Sequence, residues 1–90
     1  MEFEFDQAKS ESNKIKHGID FVEAQLLWAD QHRVILTART DPELRFILIA
    51  KQSDKHWSAV FTVREGRTRI ISVRRSRDEE QDIYSFGARV

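Results

Sequence analysis

The sequence predicts an α+β domain, β-α-α-β-β-β-β-α in order, with helices at the ends of the chain and antiparallel strands between them. Three observations carry this. Cap residues and polar periodicity dominate before residue 30, β-branched stretches separated by turn residues fill residues 34 to 74, and a capping pattern opens a last helix after Ser76.

Phe3 and Phe5 alternate with Glu2 and Glu4, the two-residue period of a short, half-buried edge strand. Asp6 is placed to cap a helix over Gln7 to His17, which Gly18 ends as a C′ residue. Its aliphatic members are Ala8 and Ile15, so it can bury only a narrow stripe. Asp20 and Glu23 form a capping box for a second helix reaching about Trp28, with Phe21, Ala24, Leu27 and Trp28 on its core face. Val34 to Ala38, Phe46 to Ala50 and Trp57 to Val63 read as strands, joined by Thr40-Asp41-Pro42-Glu43 and Gln52-Ser53-Asp54-Lys55.

Glu65-Gly66 reads as the centre of a tight hairpin leading to a strand from Thr68 to Arg74. Counting outward from Arg64 opposite Arg67 sets Thr62 opposite Arg69 and Phe61 opposite Ile70. It also sets Val60 opposite Ile71, Ala59 opposite Ser72 and Trp57 opposite Arg74, so each face receives apolar and basic residues. Ser76-Arg77-Asp78-Glu79 then fits a capping box for a helix through Tyr84.

Ninety residues, 40% apolar and 33% charged, fit one domain spanning residues 1–90, without a linker or repeat. The absence of cysteine excludes disulfides and thiolate metal sites, which suits a cytoplasmic protein. With no apolar run of membrane-spanning length and no signal-like start, the expectation is neither export nor membrane insertion. The net charge is zero but unevenly spread. Met1 to Asp30 carries three Lys against seven acids (−4), Gln31 to Arg77 eleven Lys and Arg against four (+7), and Asp78 to Val90 one Arg against four (−3). A basic middle between acidic ends can bind a polyanion.

Six arginines lie between Arg64 and Arg77, countered there only by Glu65. Guanidinium suits phosphate because its planar fork donates two parallel hydrogen bonds and stays charged. From composition alone the run reads first as a solvated strand edge, paired to the acids from Asp78 to Asp82, since charge runs are usually solvated faces. Metal-free RNA cleavage needs a base for the ribose 2′-hydroxyl, cations for the phosphorane and an acid for the leaving 5′-oxygen. Glu80 fits the base, Tyr84 or Lys9 the acid, and Arg45, Arg69 and Arg74 the cations. Against this, Glu80 also suits an arginine partner and Tyr84 a core anchor. His17 suits a helix C-terminal cap or a phosphate contact. His32 and His56 show no metal spacing, and no nucleotide-binding glycine loop or nucleophile motif is present.

Phe3-Glu4-Phe5-Asp6 with Lys9, Asn13 and Lys16-His17-Gly18-Ile19, then Phe21 and Glu23-Ala24, resembles the opening signature of the BrnT toxin family. Arg45-Phe46 resembles its central strand, and Arg69 to Ser76 followed by Glu80 and Tyr84 its closing one. The resemblance runs from Phe3 to about Tyr84. Phe5, Gln7, Trp28-Ala29-Asp30 and Val73 depart from the usual pattern, but no charged residue of the closing motif is lost.

The resemblance implies a RelE-like fold and a metal-independent endoribonuclease that arrests translation; with Arg69 and Arg74 on the phosphate and Glu80 as base, a 2′,3′-cyclic phosphate is the expected product and no cofactor is expected. It implies neutralisation by a BrnA-like ribbon-helix-helix antitoxin, with operator DNA bound through the complex; the thin core and partly apolar sheet lead to the expectation that the antitoxin covers much of the basic surface in a heterotetramer. By position it assigns Arg45, Arg69, Ser72, Arg74, Glu80 and Tyr84 to the catalytic site. Lys9, His17, Arg75 and Arg77 are the expected RNA contacts, and no metal ligand is expected. The competing expectations are a non-catalytic protein- or DNA-binding module, and a toxin of the same fold acting on a non-RNA target.

Overall fold

The computed structural model describes residues 1–88. β1 (Phe3–Glu4), β2 (Val34–Arg39), β3 (Arg45–Gln52), β4 (Lys55–Arg64) and β5 (Arg67–Arg75) form one sheet in the order β1-β5-β4-β3-β2. α1 (Gln7–His17) runs beside β5, a 3-10 segment (Glu23–Ala29) packs on one face of the sheet, and α2 (Asp78–Ala88) crosses the other.

Two parts of the expected fold are corrected. The sheet is mixed rather than antiparallel, because β1 pairs in parallel with β5, Phe3 with Thr68 and Glu4 with Arg69. The second helix is seven residues of 3-10 geometry, so the RelE-like description with two N-terminal helices does not hold. Strands dominate instead. The reason lies in what local patterning encodes: period two identifies β1 as a strand but carries nothing about its partner or direction. Here the partner is set by Phe3 packing on Trp28 and by Thr68 N–H donating to the Glu2 carbonyl, with Glu2 on Arg67 at 3.1 Å and Glu4 on Arg69 at 3.5 Å as weak surface pairs beside them.

The Asp20 capping box forms, its carboxylate accepting from the Val22 and Glu23 amides while Glu23 accepts from Asp20 N–H at 2.9 Å. The turn it starts is short. Ala24, Leu27 and Trp28 plug into the sheet against Leu48, Ala50, Trp57, Ala59, Phe61, Ile70 and Val73, with Phe3, Phe5 and Phe46 at the margin. Edge-to-face contacts of Trp28 with Phe3 and Phe61 join that segment to both β1 and β4.

α1 buries polar residues. Asp6 caps it through Lys9 N–H, and Gly18 closes it at φ 83°, a left-handed conformation that favours glycine. Ile15 is 89% exposed, whereas Ser10 and Asn13 are buried. The Asn13 amide donates to the carbonyls of Ile19 and Val73 and accepts from Val73 N–H, continuing along β5 the edge pairing that β1 starts. No helix among the described residues is long and apolar enough to cross a membrane.

Candidate phosphate-binding face

The placement of the arginines depends on one extra residue in β5. Arg64 pairs with Arg67, Thr62 with Arg69 and Phe61 with Ile70, as the two-residue turn requires, with Glu65 and Gly66 both at positive φ. The ladder then shifts, so that Val60 pairs with Ser72, Ala59 with Val73, Ser58 with Arg74 and Trp57 with Arg75. Ile71 is the bulged residue. The expected register therefore holds from the turn to Ile70 and is displaced by one beyond it. Ser72 and Arg74 thereby leave the face of Trp57 and Ala59 and join Arg69 on the other.

Arg45 belongs to the same face. Phe46 pairs with Phe61 in the core layer, so Arg45, one residue earlier, points away from the core beside Thr62, which in turn pairs with Arg69. Arg45 and Arg69 thus flank β4 from β3 and β5, two strand spacings or roughly 10 Å apart. Each meets a carboxylate only loosely: Glu43 lies 3.5 Å from Arg45, and Glu4 lies 3.5 Å from Arg69. The Arg45 Nε is buried without a hydrogen-bond partner among the described residues. Ile47 and Val60 supply an apolar floor beside this pair.

Arg74 is bound quite differently. Its Nη1 and Nη2 donate to the two Glu80 carboxylate oxygens at 2.7 and 2.8 Å. Glu80 also accepts from Arg77 N–H at 2.8 Å and from the Ser58 hydroxyl at 2.9 Å, and Ser58 and Ser76 share a buried hydrogen bond of 2.8 Å. The Arg74 hydrogen bonds, opposed by burial and assisted by Arg77 N–H and Ser58, hold the Glu80 carboxyl down at about 2. Glu80 raises the Arg74 guanidinium in return. The capping box of α2 is thus one residue later than Ser76 suggested, with Arg77 at the cap and Glu80 closing it.

Tyr84, one helical turn beyond Glu80, is buried and donates its hydroxyl to Asp30 Oδ2 at 2.7 Å. Burial, reinforced by that carboxylate, pushes the phenol up to about 12. Burial works against the Asp30 anion, but hydrogen bonds from Lys51 N–H, His32 N–H and Tyr84 prevail and lower its carboxyl. His56 lies in β4, its ring edge-on to Tyr84 at 5.1 Å.

Of the expected site residues, Arg45, Arg69, Ser72 and Arg74 share the face of the sheet that α2 crosses, and α2 brings Glu80 onto Arg74. Tyr84 turns to Asp30 instead. Arg75 lies on the core side, its guanidinium 5.5 Å from the centre of the Trp57 ring. Arg77 contributes its backbone N–H, while its side chain is exposed. Lys9 and His17 lie on α1, beside β5. A depression of about 180 Å³ opens at Gly18, Glu23, Gln52, Lys55 and Trp57, away from the Arg45 and Arg69 pair.

Sequence reasoning missed Ser58, Asp30 and His56. Ser58 sits among apolar residues of a strand and Asp30 looks like a loop acid. His56 falls outside the expected strand, which begins at Trp57, two residues after the observed start at Lys55.

A sheet face with arginines on neighbouring strands and an anchored Arg–Glu pair has the donor chemistry that suits a phosphate anion. The profile of the family described as ribonuclease toxin, BrnT, of type II toxin-antitoxin system matches residues 5–80, and the chain belongs to that family. It is thus a toxin of the ribonuclease class, from systems that pair a toxin with an antitoxin. No curated protein matches the sequence.

Proposed function

We propose that this chain is a metal-independent endoribonuclease that cleaves RNA in the cytoplasm and thereby arrests translation. The supporting observation is that Arg45 and Arg69 flank β4 on one face, each only loosely paired, beside an Arg74 that is held in two-point contact. A phosphodiester lying over β4 would take donors from Arg45 and Arg69 and compete with Glu80 for Arg74, with Ser72 on the adjoining β5 position.

The chemistry follows from that competition. A phosphate that takes the Arg74 donors removes the largest cause of the low Glu80 pKa, so the carboxylate becomes more basic as substrate arrives. Glu80 then accepts the 2′-hydroxyl proton, the 2′-oxygen forms a bond to phosphorus, and the bond from phosphorus to the 5′-oxygen breaks. The products are a 2′,3′-cyclic phosphate and a 5′-hydroxyl that takes its proton from solvent. Tyr84 holds α2 through Asp30 and so positions Glu80. Arg77, exposed at the start of α2, extends the positive rim for flanking RNA, while Arg75, on the opposite face against Trp57, and Lys9 and His17, on α1, would meet only RNA that wraps round the β5 edge.

A BrnA-like ribbon-helix-helix antitoxin neutralises the toxin by covering the basic face in a heterotetramer, and this complex binds operator DNA through the antitoxin. The test is cleavage of defined RNA by purified toxin in EDTA, with product ends read by mass spectrometry. Cyclic phosphate ends in EDTA are expected. Cleavage lost in EDTA and restored by a divalent ion overturns the mechanism. Intact RNA under all conditions overturns the nuclease reading, in favour of a binding module or another target.

A further inference from the structure

The two edges of the sheet are finished differently. On the β5 side, β1 covers Thr68 and Arg69 and the Asn13 amide takes up the backbone of Val73. On the other side, among the described residues, β2 pairs only with β3. Five of its six residues are exposed, including Ile35 at 47% and Leu36 at 37%, which point to opposite faces. Edge strands are ordinarily blunted by brevity, proline, inward charge or cover. Val34-Ile35-Leu36-Thr37-Ala38 carries no proline and no charge before that of Arg39; α2 meets it at Val34 and a bulge interrupts it between Thr37 and Arg39, which leaves Ile35 to Thr37 as a regular edge.

That charge is the second observation. Arg39 stands directly opposite Arg45 across β2 and β3, a like-charge pair that destabilises a ladder unless an anion joins it. Glu43 lies 3.5 Å from Arg45 and is shared with Arg64, while Arg39 makes no ion pair among the described residues. An apolar, hydrogen-bonding edge therefore ends in unneutralised positive charge.

We propose that β2 is the docking edge for the antitoxin, which adds an extended segment as a sixth strand. This segment alternates apolar and polar residues and places acidic side chains at the end that meets Arg39 and Arg45. The proposal rests on the reading that an antitoxin neutralises this chain. A second copy fits poorly, since residues 31–40 contain no acid and antiparallel self-pairing would bring Arg33 and Arg39 of two copies together. RNA would satisfy Arg39 but has no strand-like alternation of donors and acceptors to match the peptide edge. From the Arg39 end, a chain leaving the added strand passes over Arg45 toward Arg69, so docking at the edge leads onto the proposed active face.

The test is hydrogen exchange of the toxin alone, with RNA, and in complex with its cognate antitoxin, with RNA cleavage by the free toxin assayed in parallel. We expect amides of residues 34–39 to slow at least about tenfold in the antitoxin complex only, and Arg39→Glu to weaken antitoxin binding by roughly tenfold or more. Unchanged β2 exchange in a formed complex overturns the proposal, as does failure to form a complex. Equal slowing by RNA, or by raising toxin concentration alone, overturns it in favour of those occupants. Cleavage without β2 protection defeats the docking edge and leaves the nuclease; β2 protection by antitoxin without cleavage does the reverse.

Discussion

Glu80 and Arg74 are joined by two parallel hydrogen bonds of 2.7 and 2.8 Å, and the same carboxylate caps α2 through Arg77 N–H. One side chain thus fixes both the last helix to the sheet and the direction of a guanidinium. Its folded-state carboxyl, at about 2, lies below the ordinary 4.5. The ionised group therefore contributes its full stability above pH 4.5, and that contribution is lost as pH falls from 4.5 toward 2. The shift corresponds to roughly 3 kcal/mol. Glu80→Gln is expected to melt well below the parent at pH 7, with the gap closing toward pH 2. A gap constant across that range would show that Glu80 is not the titrating anchor.

Arg45 and Arg69 carry little of the fold, because their ion pairs are long and partly solvated. Replacing either by alanine is expected to lower the cleavage rate by roughly 10² to 10³, with melting temperatures close to the parent. Single-turnover cleavage and thermal melts check this together. Parent-like rates in both variants would remove the phosphate clamp from the mechanism.

Tyr84→Phe keeps the ring against His56 and deletes the bond to Asp30. The expected cost is roughly 1–3 kcal/mol of stability, with cleavage per folded molecule changed only several-fold. A loss of about a hundredfold with unchanged stability would instead identify the phenol as the proton donor to the leaving oxygen.

Asn13 makes three buried hydrogen bonds to backbone groups of Ile19 and Val73. Asn13→Ala is expected to destabilise by roughly 2–4 kcal/mol, since those groups lose their partners. Asn13→Asp should not rescue it, because a carboxylate cannot donate to the two carbonyls. Chemical denaturation measures both, and a stable alanine variant would mean that water replaces the amide.

What the sequence made legible was local. Asp6, Gly18 and the Asp20–Glu23 box mark ends of structure because cap chemistry acts over three or four residues, and Glu65-Gly66 sets its own turn. For Glu80 and Tyr84 the sequence leaves a structural and a catalytic role open; in the fold Glu80 pairs with Arg74 and Tyr84 with Asp30. The direction of β1 was not legible, since the Glu2 carbonyl finds Thr68 N–H across more than sixty residues. The 3-10 form of Glu23–Ala29 was not legible either. Its capping box predicts a helical start, while packing of Leu27 and Trp28 onto the sheet decides the pitch.

The bulge at Ile71 bears on anyone who would transplant this site. Arg69 and Arg74 are five positions apart, an odd interval that on a regular strand sends one side chain above the sheet and the other below. A scaffold of idealised strands given arginines at that spacing would present a lone cation on each surface and grip nothing. The graft must bring the supernumerary residue with it, or close the interval to four; deleting Ile71 from the native chain would likewise keep both guanidinium groups on one side.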